Sequence, residues 1–496
     1  MLHIRSTKTA SGKTAIQIVR YERRKTIVVK HCGSTDEKTE LKRLTEEARE
    51  WIEKTSEQFS LFPQPETSSI DQLKRYQYIG FRYGLLYESL YELCKRFKFH
   101  WIRNKLLLDL VIARIVEPGS KLQSIEFLKD YIGIEHGRRE IYRATPKFLA
   151  ARNTVENKIL DIAQKEFDFD FSLVFYDVTT LYFESFQEDE LRQCGFSKDN
   201  KFNQPQIVLG LLVTNKGFPI GYQIFEGKKF EGHTMLPVIK GFKQKHRIKT
   251  FTVVADAAMI SAESIKVLRS EKLQYIVGAR AANLSLDYIK RISAQLNKQD
   301  TKTIRLKTNL GDLVCEFSTR RFAKDNREME KGIAKANNIL NNPGKIKRVK
   351  FITSENNTYT LNSSLIEKTE LLLGIKGYYT SLSESEASDQ LIIEHYHNLW
   401  HVEQAFRISK SDLQIRPIFH FKNKTIEAHI LICFMALAVC KYIELKTGRS
   451  IKSCLKLLKS VTDATLIDTF SGKKFVLRSQ INDEIQDLLK SLQIVV

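Results

Sequence analysis

The period of the apolar positions changes several times along the chain, and each change marks a boundary. Near the start, Leu2-His3-Ile4-Arg5, Ala15-Ile16-Gln17-Ile18-Val19 and Thr26-Ile27-Val28-Val29 are separated by Ser11-Gly12 and by Arg23-Arg24-Lys25. That pattern predicts three strands, closed by Cys32-Gly33. Leu41, Leu44, Ala48 and Trp51-Ile52 follow at helical spacing behind Ser34 or Asp36, so 1–54 reads as a small β-β-β-α unit. Residues 55–70, with Pro63, Pro65 and Thr67-Ser68-Ser69, read as a linker. From 71 to 167 the period is helical (Tyr83, Leu86, Tyr87, Leu90, Leu93), and Pro118-Gly119 ends a helix over 106–116. A helical domain is expected there.

Beyond 168 the apolar runs shorten. Ser172-Leu173-Val174-Phe175-Tyr176-Asp177 is a strand that ends in an acid. Residues 206–214 and 217–225 form two more, joined by the hairpin signal Asn215-Lys216-Gly217. A helix over 234–244 precedes Phe251-Thr252-Val253-Val254-Ala255-Asp256, again a strand ending in an acid. A helix over 261–270 and the strand Tyr275-Ile276-Val277-Gly278-Ala279 complete the run. Three antiparallel strands, a helix, a strand, a helix and a strand is the order of an RNase H-like fold, expected here over 168–280. Residues 281–380 interrupt it with short strands near 303–307, 314–319, 349–353 and 378–382 and a basic helix near 324–340, which predicts a mainly β insertion domain. A helix over 389–410 resumes the core in 381–450, and 451–496 reads as a helical tail. The expected fold is therefore multidomain α+β. The most apolar run, 430–440, is too short for the ~20 residues of a membrane span and reads as a buried core helix.

Charge narrows the partner. Lys and Arg outnumber Asp and Glu 79 to 58, a net charge of +21 that favours a polyanion, nucleic acid before membrane surfaces or acidic proteins. Eight cations face one acid in residues 1–30, so the N-terminal sheet is either a DNA-binding appendage or a basic but passive unit. Ten cations face three acids between Arg320 and Lys350. The seven cysteines are scattered without a Cys-x-x-Cys pair, which argues against a disulfide framework and a zinc finger and suits a reducing cytoplasm. Met1-Leu2-His3-Ile4-Arg5 lacks the apolar core of a signal peptide, so a cytoplasmic protein with no membrane role is expected.

The acids carry the candidate chemistry. Breaking DNA at phosphorus requires an activated nucleophile and a stabilised leaving oxygen beside a polyanion. Two hard cations ~3.5–4 Å apart do both, and they demand carboxylates from rigid, converging elements. Asp177 and Asp256 end strands, where a side chain can face a cleft. Surface strand ends also carry Asp as a turn residue, so neither is specific alone. The helical stretch 396–413 adds a third: Tyr396, Glu403 and Lys410 are seven apart and fall near one helix face, while Trp400, Val402 and Phe406 supply apolar surface.

Together these residues resemble the DDE transposases of bacterial insertion sequences, in the branch with a Tyr-x2-Arg-x3-Glu-x6-Lys signature. Tyr396, Glu403 and Lys410 match at the required spacing, and Leu399 stands where that signature has Arg. The stretch Lys410-Ser411-Asp412-Leu413-Gln414-Ile415-Arg416-Pro417-Ile418-Phe419-His420, Gly195-Phe196-Ser197-Lys198-Asp199 and the interruption before the Glu add to the likeness, which covers roughly 75–450. The resemblance implies that Asp177, Asp256 and Glu403 are catalytic and hold two Mg²⁺, for which Mn²⁺ can substitute. It implies that Tyr396 and Lys410 hold DNA phosphates, with Arg407 and Lys198 as further candidate DNA contacts. It also implies an insertion that touches the element's end, a hairpin intermediate, double-stranded DNA partners (terminal inverted repeats and target) and a homodimer on DNA. The rival readings are an RNase H-like nuclease without strand transfer and an inactive DNA-binding derivative. Glu184 is a candidate fourth acid or a structural residue. His233 reads as a helix-cap residue, and His395, His397, His401 and His420 lack metal-ligand spacing and receive no catalytic role.

Overall fold

The computed structural model describes residues 2–22, 25–55, 75–197, 200–259, 261–341, 349–355 and 358–495. The chain divides into two compact units, Met1–Ile79 with Leu466–Phe475, and Gly80–Thr465 with Val476–Val496.

In the first unit β1 (Leu2–Lys8), β2 (Thr14–Glu22) and β3 (Lys25–Thr35) form an antiparallel sheet in that order, followed by the helix Lys38–Thr55. Ile16 and Ile18 meet Leu44 and Ala48 of that helix in a small core. The period-2 and helical readings are both observed, the strands running a few residues longer. The linker expected over 55–70 lies, from 56 onward, outside the described residues.

Between 71 and 167 the described chain is mostly helical, but it opens with a strand, β4 (Tyr76–Arg82). Tyr76-Gln77-Tyr78-Ile79-Gly80-Phe81-Arg82 is rich in β-formers, a signal outweighed in the sequence reading by the strong helical period after it. The helix Lys105–Val116 is buried on every side from Leu106 onward. So is most of the 25-residue helix Asn423–Thr447, which packs against Lys105–Val116, Arg138–Ala150 and β7 (Pro219–Glu226). A helix apolar all round must be covered all round, and here the rest of the unit supplies the cover. By length and composition it could cross a membrane, yet 94% of its most apolar window is buried inside the protein. Each fully buried Leu or Ile contributes ~1.5–3 kcal/mol, so this helix is a principal stabiliser of the unit.

The large sheet has eight strands. Besides β7 it contains β5 (Leu173–Tyr182), β6 (Gln206–Val213), β8 (Thr252–Ala255), β9 (Gln274–Ala279), β10 (Thr303–Thr308), β11 (Gly311–Phe317) and a later strand, β14 (Ile375–Thr380). The order is β10-β11-β14-β9-β8-β5-β6-β7. β5, β6 and β7 pair antiparallel, whereas β5, β8 and β9 run parallel. The helices Met235–His246 and Ala262–Ser270 make the two crossovers. β6 is buried at all eight positions, which its unbroken apolar run requires of a central strand. Gly217 takes the positive φ of 75° that its hairpin needs.

The expected separate, mainly β insertion differs from what is observed. β10, β11 and β14 continue the large sheet edge to edge by antiparallel pairing with β9. The helices Leu286–Leu296, Thr319–Asn341 and Ser363–Leu371 make the segment as helical as it is extended, alongside the small ribbon of β12 (Ile352–Glu355) and β13 (Thr358–Leu361). Strand periodicity reports exposure of a face but not which edge a strand will join. The tail also differs: β15 (Asp463–Asp468) and β16 (Lys474–Arg478) stand between the helices Ile451–Ser460 and Asp483–Ser491.

Candidate active site

Asp177 and Asp256 meet because their strands are neighbours. Tyr176 of β5 registers with Ala255 of β8 in the parallel pairing, so Asp177 and Asp256 follow at the same level of the sheet. The strand end expected at Asp177 is not observed: β5 continues to Tyr182, because Val178-Thr179-Thr180-Leu181-Tyr182 are themselves strand formers, and only Asp256 lies just past its strand. β8 stops there, and the chain turns into Ala257–Met259, with the Ala257 amide donating to Asp256 Oδ1 at 2.7 Å. Asp177 is half-buried within β5 and Asp256 is exposed.

Glu403 arrives from the other side. The expected continuous helix over 389–410 is instead two helices, Asp389–His397 and Trp400–Arg407, followed by a wide turn over Ile408–Asp412. At the break the bonds tighten to three-residue steps, Leu399 N–H to Tyr396 O and Val402 N–H to Leu399 O. At the wide turn they lengthen to five, Leu413 N–H to Ile408 O. A tight turn advances about 120° per residue rather than 100°, so spacing of seven does not by itself keep the three side chains on one face. The helix carrying Glu403 packs on β5 and β6.

Tyr396 ties the acids together. Its hydroxyl donates to Asp256 Oδ1 at 3.1 Å. Burial drives its pKa far above the ordinary phenol value, and Asp256, Glu403 and Asp177 all push it the same way. One phenol therefore senses all three carboxylates. Gly278 on β9 makes the approach possible: a Cβ there would lie 2.5 Å from the Tyr396 hydroxyl.

Two further charged residues at this edge went unnoticed in the sequence. Lys376 of β14 holds its Nζ 4.6 Å from the Tyr396 ring centroid and 5.5 Å from that of Tyr378. Burial lowers its pKa, Arg321 adds to the fall, and Glu316, Asp256 and Glu403 oppose it. Glu231 lies in the turn Glu231–His233, which packs on Ala257–Met259, and with Asp177 it raises the pKa of Tyr176, whose main cause is burial. Neither has a local motif; Lys376 reaches the site only because β14 joins the sheet next to β9.

The remaining candidates separate. Lys410 is half-buried in the wide turn. Arg407 is exposed and lines a groove of about 640 Å³ with Lys216, Trp400, Lys441 and Arg449, which includes none of the three acids. Lys198 lies outside the described residues. Glu184 is exposed, two residues past β5. His233 sits in the turn before the helix Met235–His246, as a cap-region residue should. Among the described residues no three His, Cys, Asp or Glu side chains are drawn into a ready-made metal cage. Carboxylate oxygens are the donors that hard cations take, and Asp256 and Glu403 are exposed.

A second charged cluster lies elsewhere in the same unit. Arg114 is buried, giving hydrogen bonds to the carbonyls of Gly119 and Leu413 while its Nε has no partner. Lys121 Nζ is buried with no hydrogen-bond partner among the described residues, 5.8 Å from the Tyr142 ring centroid. Burial, aided by Arg114, lowers the Lys121 pKa to about 8. Burial, then Lys121 and Arg114, lowers that of His420 to about 3. His420 packs edge-on against His429 at 5.3 Å, and His429 Nε2 bonds the Ile415 carbonyl at 2.9 Å.

Two acids on neighbouring strands and a third on a helix thus stand in a strongly basic chain. Residues 168–439, more than half of the chain, match the family described as Transposase DDE domain, and the chain belongs to that family. No curated protein matches it. Among solved structures it is similar to the cryo-EM structure of a piggyBac transposase synaptic complex with hairpin DNA, at 10% identity and a TM-score of 0.35. That likeness covers 62% of this chain and 57% of the other, so the chain spans little more than half of the protein it matches.

Proposed function

We propose that this protein is a metal-dependent transposase that cuts an insertion sequence out of DNA and joins it to a target, with Asp177, Asp256 and Glu403 as its catalytic acids. The observation that carries this reading is the phenol of Tyr396, within electrostatic range of all three carboxylates at one edge of the sheet. The strand order β7-β6-β5-β8-β9, with its antiparallel and parallel halves, supports an RNase H-like core. Asp177, Asp256 and Glu403 would hold two Mg²⁺, or Mn²⁺ in their place. Such ions supply Lewis-acid stabilisation of the attacking and leaving oxygens.

The chain's own residues do the rest. Tyr396, fixed on Asp256, orients that carboxylate, and its burial keeps the phenol protonated as a donor. Lys376 and Lys410 supply positive charge for phosphates that approach the acids. The helix Thr319–Asn341 brings Arg321 and Lys335 to a hollow of about 690 Å³, also lined by Arg280, Lys350, Lys368 and Lys376. That hollow suits the DNA backbone next to the cut, so the segment before the Glu is read as an element-end contact. A hairpin intermediate, pairing of two terminal repeats by a homodimer and action in the bacterial cytoplasm complete the reading.

A gel assay with the element's own ends, target DNA and Mg²⁺ tests it. Nicking at the ends and joined products are expected, both lost with EDTA. Nicking without joining would make the protein a nuclease, and end binding without nicking an inactive derivative.

A further inference from the structure

The edge that carries Asp177 continues into a surface the acid chemistry does not use. β5 runs on from Asp177 to Tyr182, and the segment after the Glu helices returns to pair there: the Ile418 amide donates to the Tyr182 carbonyl at 3.1 Å, beside a parallel bridge between Phe183 and Ile418. Burial then alternates. Ile418 is buried and His420 turns toward His429, whereas Phe419 and Phe421 are 58% and 59% exposed. Two large apolar rings on successive outward positions carry a real hydration cost, and cations lie on Phe421 and on the neighbouring Tyr182. The Arg192 guanidinium, buried and ion-paired with Asp189 at 2.8 Å, stands 5.7 Å from the Phe421 ring centroid and braces that ring from below. Arg416 and Lys201 each lie 5.5 Å from the ring of Tyr182.

We infer that Phe419 and Phe421, with Arg416 and Lys201, form a subsite for an unpaired stretch of the DNA strand that leaves the catalytic acids. This rests on the transposase reading above and extends it. Three features select unpaired DNA. Outward positions two residues apart in an extended segment are about 6.6 Å from each other, twice the roughly 3.4 Å of a base stack, which leaves room for one base between the rings. Bases present their faces only when unpaired, and a flat aromatic clamp fits them without regard to sequence. The surrounding guanidinium and ammonium groups match the phosphates on either side of such a base. Tyr182 is five residues beyond Asp177, about 16 Å along the strand, so the subsite would hold DNA roughly five stacked nucleotides from the reacting phosphate.

Fluorescence anisotropy of the full-length protein in EDTA, with a labelled duplex bearing a short oligothymidine tail and a blunt duplex of equal length, tests the subsite without requiring cleavage. The unaltered protein should prefer the tailed DNA by about tenfold, within the range expected for stacking of one base. Phe419→Ala with Phe421→Ala should abolish that preference and leave blunt-duplex affinity within about twofold, while Phe421→Trp should retain it. Because both rings are exposed, their loss should not disturb folding, and equal thermal melting of the variant checks this. An absent preference in the unaltered protein, an intact preference in the double variant, or equal loss on both DNAs would overturn the subsite. So would a change in oligomeric state with the tail preference kept, which would make the rings a contact between protein chains. Failure of the transposase reading would appear separately, as absence of nicking and joining at the element's ends.

Discussion

The acid edge and the cation cluster around Lys121 are made of similar parts and reach opposite electrostatic states. At the acid edge the carboxylates are mixed with groups that answer them: Tyr396 donates to Asp256, and Lys376 feels both Asp256 and Glu403. The edge is also open, with Asp256 and Glu403 exposed. In the other cluster every charge acting on Lys121 and His420 is positive, and the Lys121 ammonium is buried. Charge that is left accessible and partly answered can be neutralised by an incoming ligand. Charge that is buried among its own kind is relieved only by losing protons. The first leaves charge available to a ligand, the second is a cost carried by the fold.

The sharpest way to break this contrast is at the acids. Asp177→Ala, Asp256→Ala or Glu403→Ala should each lower end cleavage by at least about a thousandfold, measured in gels, while DNA affinity stays within about twofold. A variant that cleaves normally would leave the acid edge without a function.

The cation cluster should respond in stability instead. Lys121 ordinarily titrates near 10.5 and here near 8, so the folded protein holds fewer protons than the unfolded chain between those values. Stability therefore rises with pH across that window, and the cost is fully present below about pH 8. At ~1.4 kcal/mol for each pH unit, Lys121→Met should stabilise the protein by about 3 kcal/mol at pH 7, the gain shrinking toward zero near pH 10.5. Denaturant midpoints at pH 7 and pH 10 measure it. An equal gain at both would point to packing rather than charge.

Lys410 lies on the boundary of the comparison. Lys410→Ala should depress cleavage by about twentyfold, far more than it lowers affinity, with Lys410→Arg recovering part of the loss. Cleavage at the parental rate would detach Lys410 from the acid edge. The smallest effect is expected from deleting residues 1–54. End affinity should fall by about five- to tenfold in a salt-sensitive manner if the basic sheet docks on DNA. Unchanged affinity would make that sheet passive.

Much of the acid edge could be read from the chain alone because its parts are local. Unbroken apolar runs before Asp177 and Asp256 announce buried strands, but only the second says where its strand leaves the sheet, since β5 runs on past Asp177 to Tyr182. The spacing of Tyr396, Glu403 and Lys410 pointed to one helix, but a three-residue step and an α-helical step look alike in a pattern of apolar residues. The break at Asn398–Leu399 was hidden for that reason. Lys376 and Glu231 were hidden for another: their places depend on which strand or turn packs beside Asp256. A sheet edge is chosen by the whole fold, so the strands after 300 were foreseen as strands and misjudged as a separate domain. The Lys121 cluster leaves no trace in sequence, since its members lie on helices and a loop separated by some 300 residues.

That separation also sets the order in which the protein can come into being. The helix Lys105–Val116 has no polar face, and its cover, the helix Asn423–Thr447, is translated about 300 residues later. At roughly 5–20 residues per second, a ribosome exposes that apolar cylinder for on the order of 15–60 s before its partner emerges. Throughout that interval the nascent chain offers a sticky surface to chaperones and to its neighbours, and the acids have already been synthesised without a rigid frame to hold them. Chain completion thus acts as a timer, withholding the acid edge until the last fifth of the polypeptide closes the core around it.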